Sequence, residues 1–181
     1  MIGGQVVDVS QTGHALSQEQ LDFIYKLKTG ALIEASMMIG AILAGASDEE
    51  VSRVEKIAAD VGLAFQIQDD ILDYSGTDAV GKPLGADILE QKMTIPLLGA
   101  LKSVTDEVAA EVRGKVRDIV GHPEYREDII GFVKDSGGLE YAVTRLSAYV
   151  KEAVEALDVL PDSPAKEYLV ELAYFTAARA M

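Results

Sequence analysis

Residues 47–76 read SDEEVSRVEKIAADVGLAFQIQDDILDYSG, and the pattern is that of one long α-helix. Ser47 followed by Glu50 is a capping box, in which the serine hydroxyl and the later carboxylate satisfy backbone N–H groups that a helix start leaves orphaned. Inside this helix Gln66-Ile67-Gln68-Asp69-Asp70-Ile71-Leu72-Asp73 is costly. Aspartate is a poor helix former, and like charges four apart repel by roughly 0.2–0.5 kcal/mol. At about 100° per residue, Gln66, Asp69, Asp70 and Asp73 project toward one side while Phe65, Ile71 and Leu72 pack elsewhere, so three carboxylates are expected to converge at one site. Clustered hard oxygens without nitrogen or sulfur ligands suit Mg²⁺, which is commonly held by one or two carboxylates together with substrate phosphates. A solvated acidic face is the other reading of such a run. The core-like residues Gly62 to Phe65 and Ile71-Leu72 around the acids weigh against it.

Outward from this helix, apolar residues recur with helical spacing almost everywhere and alternating β-branched runs do not dominate, so the chain reads as all-α. Ser17 with Gln20 is a second capping box, opening a helix that runs from about 18 to Lys28, and another continues from Gly30 to about Gly45 with the glycine as a break or kink. After the central helix, a fourth is expected over about 86–102 with Pro96 inside it. A fifth follows Thr105 and stops at Gly121, and a sixth starts at Pro123 and ends before Gly137-Gly138. Two more cover about 139–157 and 164–180, the latter opened by Pro164. Short gaps between helices suit antiparallel neighbours in a bundle, and the 181 residues are expected to form a single domain, 1–181.

Composition removes several classes of chemistry. There is no cysteine, hence no disulfide, thiolate nucleophile or cysteine-ligated metal. The two histidines, His14 and His122, lie outside any ligand-spaced motif. Thirty acidic against sixteen basic residues, a net charge of −14, argue against nucleic acid as a partner. The longest apolar stretch, Ala35 to Ala46, is about half of the roughly 20 residues a bilayer span requires, so no transmembrane segment is expected. The first residues, Met1-Ile2-Gly3-Gly4-Gln5, lack a basic signal-peptide start, which makes the cytoplasm the expected location.

Basic groups flank the acids: Lys28-Thr29 at the junction of two helices, Lys82 in the glycine-rich loop from Ser75 to Gly85, and Lys92 beyond it. A diphosphate held by carboxylates through Mg²⁺ keeps negative oxygens that lysines can neutralise from the far side.

Taken together, these segments resemble the trans-isoprenyl diphosphate synthases, or polyprenyl synthetases. Phe65 to Asp73 is similar to that family's second aspartate-rich motif, and Gly81-Lys82-Pro83-Leu84-Gly85-Ala86-Asp87 to its G-K-x-x-G-x-D segment. Lys92-Met93-Thr94-Ile95-Pro96 is similar to its K-x-T-x-P helix start, Lys28-Thr29-Gly30 to its lysine–threonine motif, and Gly4-Gln5-Val6-Val7-Asp8 to its G-Q-x-x-D motif. No D-D-x-x-D precedes Asp69 and residues 1–25 contain neither Lys nor Arg, so the chain resembles the C-terminal half of such a synthase, an antiparallel helical bundle of the isoprenoid synthase type lacking its N-terminal helices.

The resemblance implies Mg²⁺ as cofactor, with Asp69 as the most direct ligand and Asp70 and Asp73 completing the shell partly through water. It implies that Lys28 and Lys82 hold an allylic diphosphate, with Lys92 and Asp87 in support and Gln5 and Asp8 lining the same cavity. Thr29 and Gln66 correspond to a pair that stabilises an allylic cation. The implied reaction is head-to-tail condensation of isopentenyl diphosphate with an allylic diphosphate by a prenyltransferase, with turnover by the isolated chain left open. Two other classes stay open. One is a noncatalytic or regulatory half-chain whose partner supplies the first aspartate-rich motif, and the other a purely structural or metal-buffering bundle. Apolar residues in 31–46 lead to the further expectation of self-association or of a tightly bound partner.

Overall fold

The computed structural model describes residues 2–10, 16–75 and 84–178, and the chain among them is helical throughout, with no strand. Helix α1 (Ile2–Ser10) is followed by α2 (Gln18–Tyr25), a π-helical turn over Lys26–Gly30, and α3 (Ala31–Leu43). Then come α4 (Asp48–Ser75), the short α5 (Ala86–Leu89), α6 (Ile95–Lys102), α7 (Asp106–Asp118), α8 (Tyr125–Asp135), α9 (Gly138–Leu157) and α10 (Pro164–Ala178).

Both capping boxes form. Gln20 N–H donates to Ser17 Oγ and Ser17 N–H to Gln20 Oε1 at the start of α2. Ser47 and Glu50 exchange the same bonds at the start of α4. Ser163 Oγ accepts from Lys166 N–H beside Pro164 at the start of α10.

The helices differ in detail from the expected ones at three places. The first seventeen residues hold a helix, α1, which lacks cap signals and was therefore not legible. The break or kink expected at Gly30 is a π turn over Lys26–Gly30 through which α2 passes into α3, and the glycine that the close crossing requires is Gly62 of α4. The helix expected over 86–102 is two helices, because Thr94 takes the extended N-cap conformation and Pro96, with no N–H to give, sits in the first turn of α6. The segment between them contains Gln91 at φ 57, a left-handed conformation uncommon for a residue with a side chain.

Helix α4 is the spine, packed most extensively against α9 and α3. One core cluster joins α2, α4, α9 and α10 through Leu21, Ile24, Ile57, Ile67, Leu146, Leu157 and Ala173. A second gathers Tyr74 from the end of α4 with Ile88, Leu97, Val116, Ile129 and Val133 of α5 to α8. Two glycines let backbones approach around the first site-bearing segment. A Cβ on Gly4 of α1 would lie 2.4 Å from the Leu27 carbonyl carbon, and one on Gly62 of α4 would lie 2.8 Å from Gly30 Cα. The π turn is thereby gripped between α1 and α4 with nothing thicker than a glycine on either side.

Helix α3 is the exception to good burial. None of its thirteen residues is buried, although it carries Leu32, Ile39, Ile42 and Leu43, the last 82% exposed. Ile2, Val6 and Val9 of α1 are exposed as well. No helix among the described residues is long and apolar enough to cross a membrane.

Candidate active site

The π turn, the acidic end of α4, the C-terminal end of α1 and the segment after α5 meet in one region. Lys28 Nζ donates to Asp8 Oδ2 at 2.9 Å, and Lys92 Nζ lies 3.7 Å from the same oxygen. Lys92 also reaches Asp87 Oδ1 at 3.5 Å and Glu90 Oε2 at 2.6 Å. Partial burial pulls the Lys92 ammonium's pKa down, but the Glu90 hydrogen bond and the charges of Asp8 and Asp87 outweigh it, so the net shift is upward and the charge is retained. Asp8 thus bridges two lysines that are 64 positions apart in sequence. Beside them Gln66, a buried side chain, donates from Nε2 to Thr29 Oγ1 at 3.1 Å.

The three aspartates differ in burial and in partners. Among the described residues no group of three or more His, Asp or Glu side chains is spaced to hold a metal ion. Asp69 and Asp70, neighbours in sequence, stand about 100° apart around the axis, whereas Asp73 stands about 40° from Asp69. Asp69 is exposed. Asp70, one residue on, is turned inward and only 5% exposed, and its Oδ2 accepts from the Tyr25 hydroxyl and, at 3.0 Å, from Ile95 N–H. Burial raises the pKa of Asp70 well above the usual carboxylate range against the lowering effect of those donors, and burial together with Asp70's charge raises that of Tyr25. Asp73 is half-buried and caps the turn into α5, Oδ1 accepting from Ala86 N–H at 2.9 Å and Oδ2 from Asp87 N–H at 3.2 Å. Its own carbonyl accepts from Gly85 N–H at 2.7 Å, where φ of 72° favours glycine.

Of the residues singled out from sequence, Asp8, Lys28, Asp87 and Lys92 form one charge network, Thr29 and Gln66 form a pair, and Asp73 fastens α5. Gln5 is exposed on α1 and joins none of these bonds. Lys82 lies outside the described residues. Sequence reasoning missed Tyr25, Glu90 and the Ile95 N–H; only the position of Tyr25 three residues before Lys28 on one helix face hinted at a role.

A donor set of exposed Asp69 with half-buried Asp73 nearby on the same helix fits Mg²⁺, an ion that keeps several waters and takes few protein carboxylates when phosphates supply the remainder. A separate cavity of about 290 Å³ opens between α1 and α2, lined by Val7, Leu16, Glu19, Gln20, Phe23 and Ile24.

The polyprenyl synthetase family model matches residues 1–130. The chain is 34% identical over 153 residues to the octaprenyl diphosphate synthase of Haemophilus influenzae, covering 84% of this chain and 46% of that protein. It is 35% identical over 181 aligned residues to the short chain isoprenyl diphosphate synthase of Methanothermobacter thermautotrophicus, covering 97% of this chain and 54% of the relative. The fold superposes with a TM-score of 0.85 on a geranylgeranyl pyrophosphate synthase of Corynebacterium glutamicum solved with isoprenyl diphosphate and magnesium, at 32% identity over 98% of this chain and 52% of that one. The chain spans about half the length of the curated relatives it matches.

Proposed function

The chain belongs to the polyprenyl synthetase family, and from that premise we propose that it carries the allylic-diphosphate side of a prenyltransferase site, working with Mg²⁺ in the head-to-tail condensation of isopentenyl diphosphate with an allylic diphosphate. The observation that carries this reading is the meeting of Lys28, Lys92, Asp8 and Asp87 in one network beside the Thr29–Gln66 pair. Residues far apart in sequence are brought into an arrangement with a charged part, in which two ammonium groups are held among carboxylates, and a neutral dipolar part.

The two parts suit the two products of allylic ionisation. When the allylic C–O bond breaks, the diphosphate leaves as an anion; Lys28 and Lys92, held in place by Asp8, exchange part of that carboxylate's charge for the anion's oxygens and stabilise it as it forms. The Gln66 amide oxygen and the Thr29 hydroxyl present negative dipoles to the remaining carbocation without offering it a strong nucleophile. Carbon–carbon bond formation by the isopentenyl double bond and loss of a proton complete the condensation. Asp69, with Asp73 acting through water, would hold Mg²⁺, which when bound contributes further charge stabilisation to the leaving diphosphate. Asp70 is not assigned to the metal, because its exposed area is small and its Oδ2 is engaged by two donors.

The unpartnered apolar side of α3 supports association with a further polypeptide, either a second copy or a segment corresponding to the unmatched half of the relatives. The test is turnover by the purified chain with geranyl or farnesyl diphosphate, isopentenyl diphosphate and Mg²⁺ or EDTA, read as product mass. Magnesium-dependent pyrophosphate binding is expected of the allylic side alone, and prenyl products wherever the isopentenyl side is also supplied. Absence of both product and magnesium-dependent pyrophosphate binding refutes the reading.

A further inference from the structure

We infer that Tyr25, acting through Asp70, is a positioning residue that fixes the Lys28–Thr29 turn relative to the Lys92–Ile95 segment, and that Asp70 serves this joint and not the metal. The inference rests on the functional reading above and deepens it.

Three elements meet at one carboxylate oxygen. Tyr25, the last residue of α2, donates its hydroxyl to Asp70 Oδ2, and Ile95, the first residue of α6, donates its backbone N–H to the same atom at 3.0 Å. All three residues are buried, Tyr25 and Asp70 at 5% exposure and Ile95 at 0%, so little water competes for these bonds. The joint lies immediately before each of the two lysine-bearing stretches or immediately after it. Tyr25 directly precedes the π turn that holds Lys28 and Thr29, and Ile95 follows Lys92 by three residues.

Among the described residues the two lysines meet through partly buried ion pairs with Asp8, one at 2.9 Å and the other at 3.7 Å. A buried, two-donor carboxylate is a firmer reference point than those pairs. The rest of α2 is pinned from its other end, where the Tyr141 hydroxyl donates to Gln18 Oε1 at 2.6 Å and Arg145 lies 3.3 Å from Asp22. Rotation of α2 that would carry Lys28 away from Lys92 is thus opposed at both ends.

Tyr25→Phe removes one hydroxyl and keeps the ring that fills the core, so the variant is expected to fold. Two readouts separate the joint from the functional reading. In hydrogen exchange on the full chain, Tyr25→Phe is expected to speed exchange at Ile95 and across residues 26–31. In calorimetric titration with inorganic pyrophosphate and Mg²⁺, it is expected to weaken binding at least tenfold with the magnesium dependence retained, because small misplacements of a binding group are costly. Asp70→Asn is expected to weaken binding to the same degree, the double variant no further than either single one, and Asp69→Asn to remove the magnesium dependence. Wild-type exchange and binding in Tyr25→Phe overturns the proposal. So does loss of magnesium dependence in Asp70→Asn that Tyr25→Phe does not share. No magnesium-dependent pyrophosphate binding by the unsubstituted chain overturns the parent reading and the positioning role with it, while faster exchange at Ile95 in Tyr25→Phe would still show the joint itself.

Discussion

Asp60 sits on the α4 face that packs against α9, is only 7% exposed, and has a carboxylate oxygen, Oδ2, without a hydrogen-bond partner. Burial, reinforced by the Glu152 carboxylate on α9 and only partly countered by Lys56 one turn earlier on α4, pushes its pKa up to about 6 from 3.8. Tyr149 of α9 also lies within electrostatic reach of it. Because the folded state holds this proton more tightly than the unfolded chain does, the site's stabilising contribution is complete below the unfolded value and is lost as pH rises through about 6. At pH 5 the folded carboxyl is largely protonated while the unfolded one is ionised, so moving from pH 8 to pH 5 adds about 1.4 kcal/mol through this group alone. Asp60→Asn keeps the neutral shape at every pH. Urea unfolding followed by circular dichroism between pH 5 and pH 8, above the isoelectric point near 4.4, should find the variant more stable than the parent at pH 8. Its advantage should shrink by about 1.4 kcal/mol at pH 5. Parallel pH curves for the two proteins, or an asparagine variant less stable at pH 8, would refute the argument from burial.

Other substitutions test the packing and the site. Gly62→Ala drives a methyl to within 2.8 Å of Gly30 Cα and is expected to cost ~1–3 kcal/mol in urea unfolding, the usual range for overpacking. Gly3→Ala, on α1 with nothing within 4 Å, is expected instead to stabilise by about 0.5 kcal/mol through helix propensity. Lys28→Gln should weaken magnesium-dependent pyrophosphate binding about tenfold by calorimetry, since a charge-assisted contact is lost while the salt bridge to Asp8 disappears with it. Paired Ile39→Glu and Leu43→Glu changes on α3 should reduce concentration-dependent mass in light scattering; a parent chain that is monomeric at all concentrations would count against association through this face.

The fold was largely legible because α4 announces itself twice, by the Ser47–Glu50 box and by its length, and because Ser17, Thr105 and Pro164 mark other helix starts. Local signals of this kind act within a few residues and survive any tertiary arrangement. The site was legible only as a set of segments. That Asp8 would bridge Lys28 and Lys92, or that Gln66 would meet Thr29, depends on α1 and the π turn lying against α4, which no local pattern states. The aspartates show the limit most clearly. Asp69 and Asp70 are chemically identical in the sequence, and only the direction in which α4 presents its buried face decides that one meets solvent and the other meets Tyr25 and Ile95. The split between α5 and α6 was missed because apolar spacing runs through the gap, while the decisive fact, the extended Thr94 before Pro96, is conformational.

The π turn at Lys26–Gly30 closes its hydrogen-bonded ring with one residue more than an α-helical turn, so it acts as a single-residue insertion in an otherwise continuous rod. Deleting one residue there would heal the rod into regular α-helix and rotate everything before the turn by about 100° relative to everything after it. Tyr25 and Thr29 could not then both reach α4: alignment of one with Asp70 would carry the other away from Gln66. The extra residue sets two faces of one helix to the same neighbour, and a more regular helix at this point would be a disconnected one.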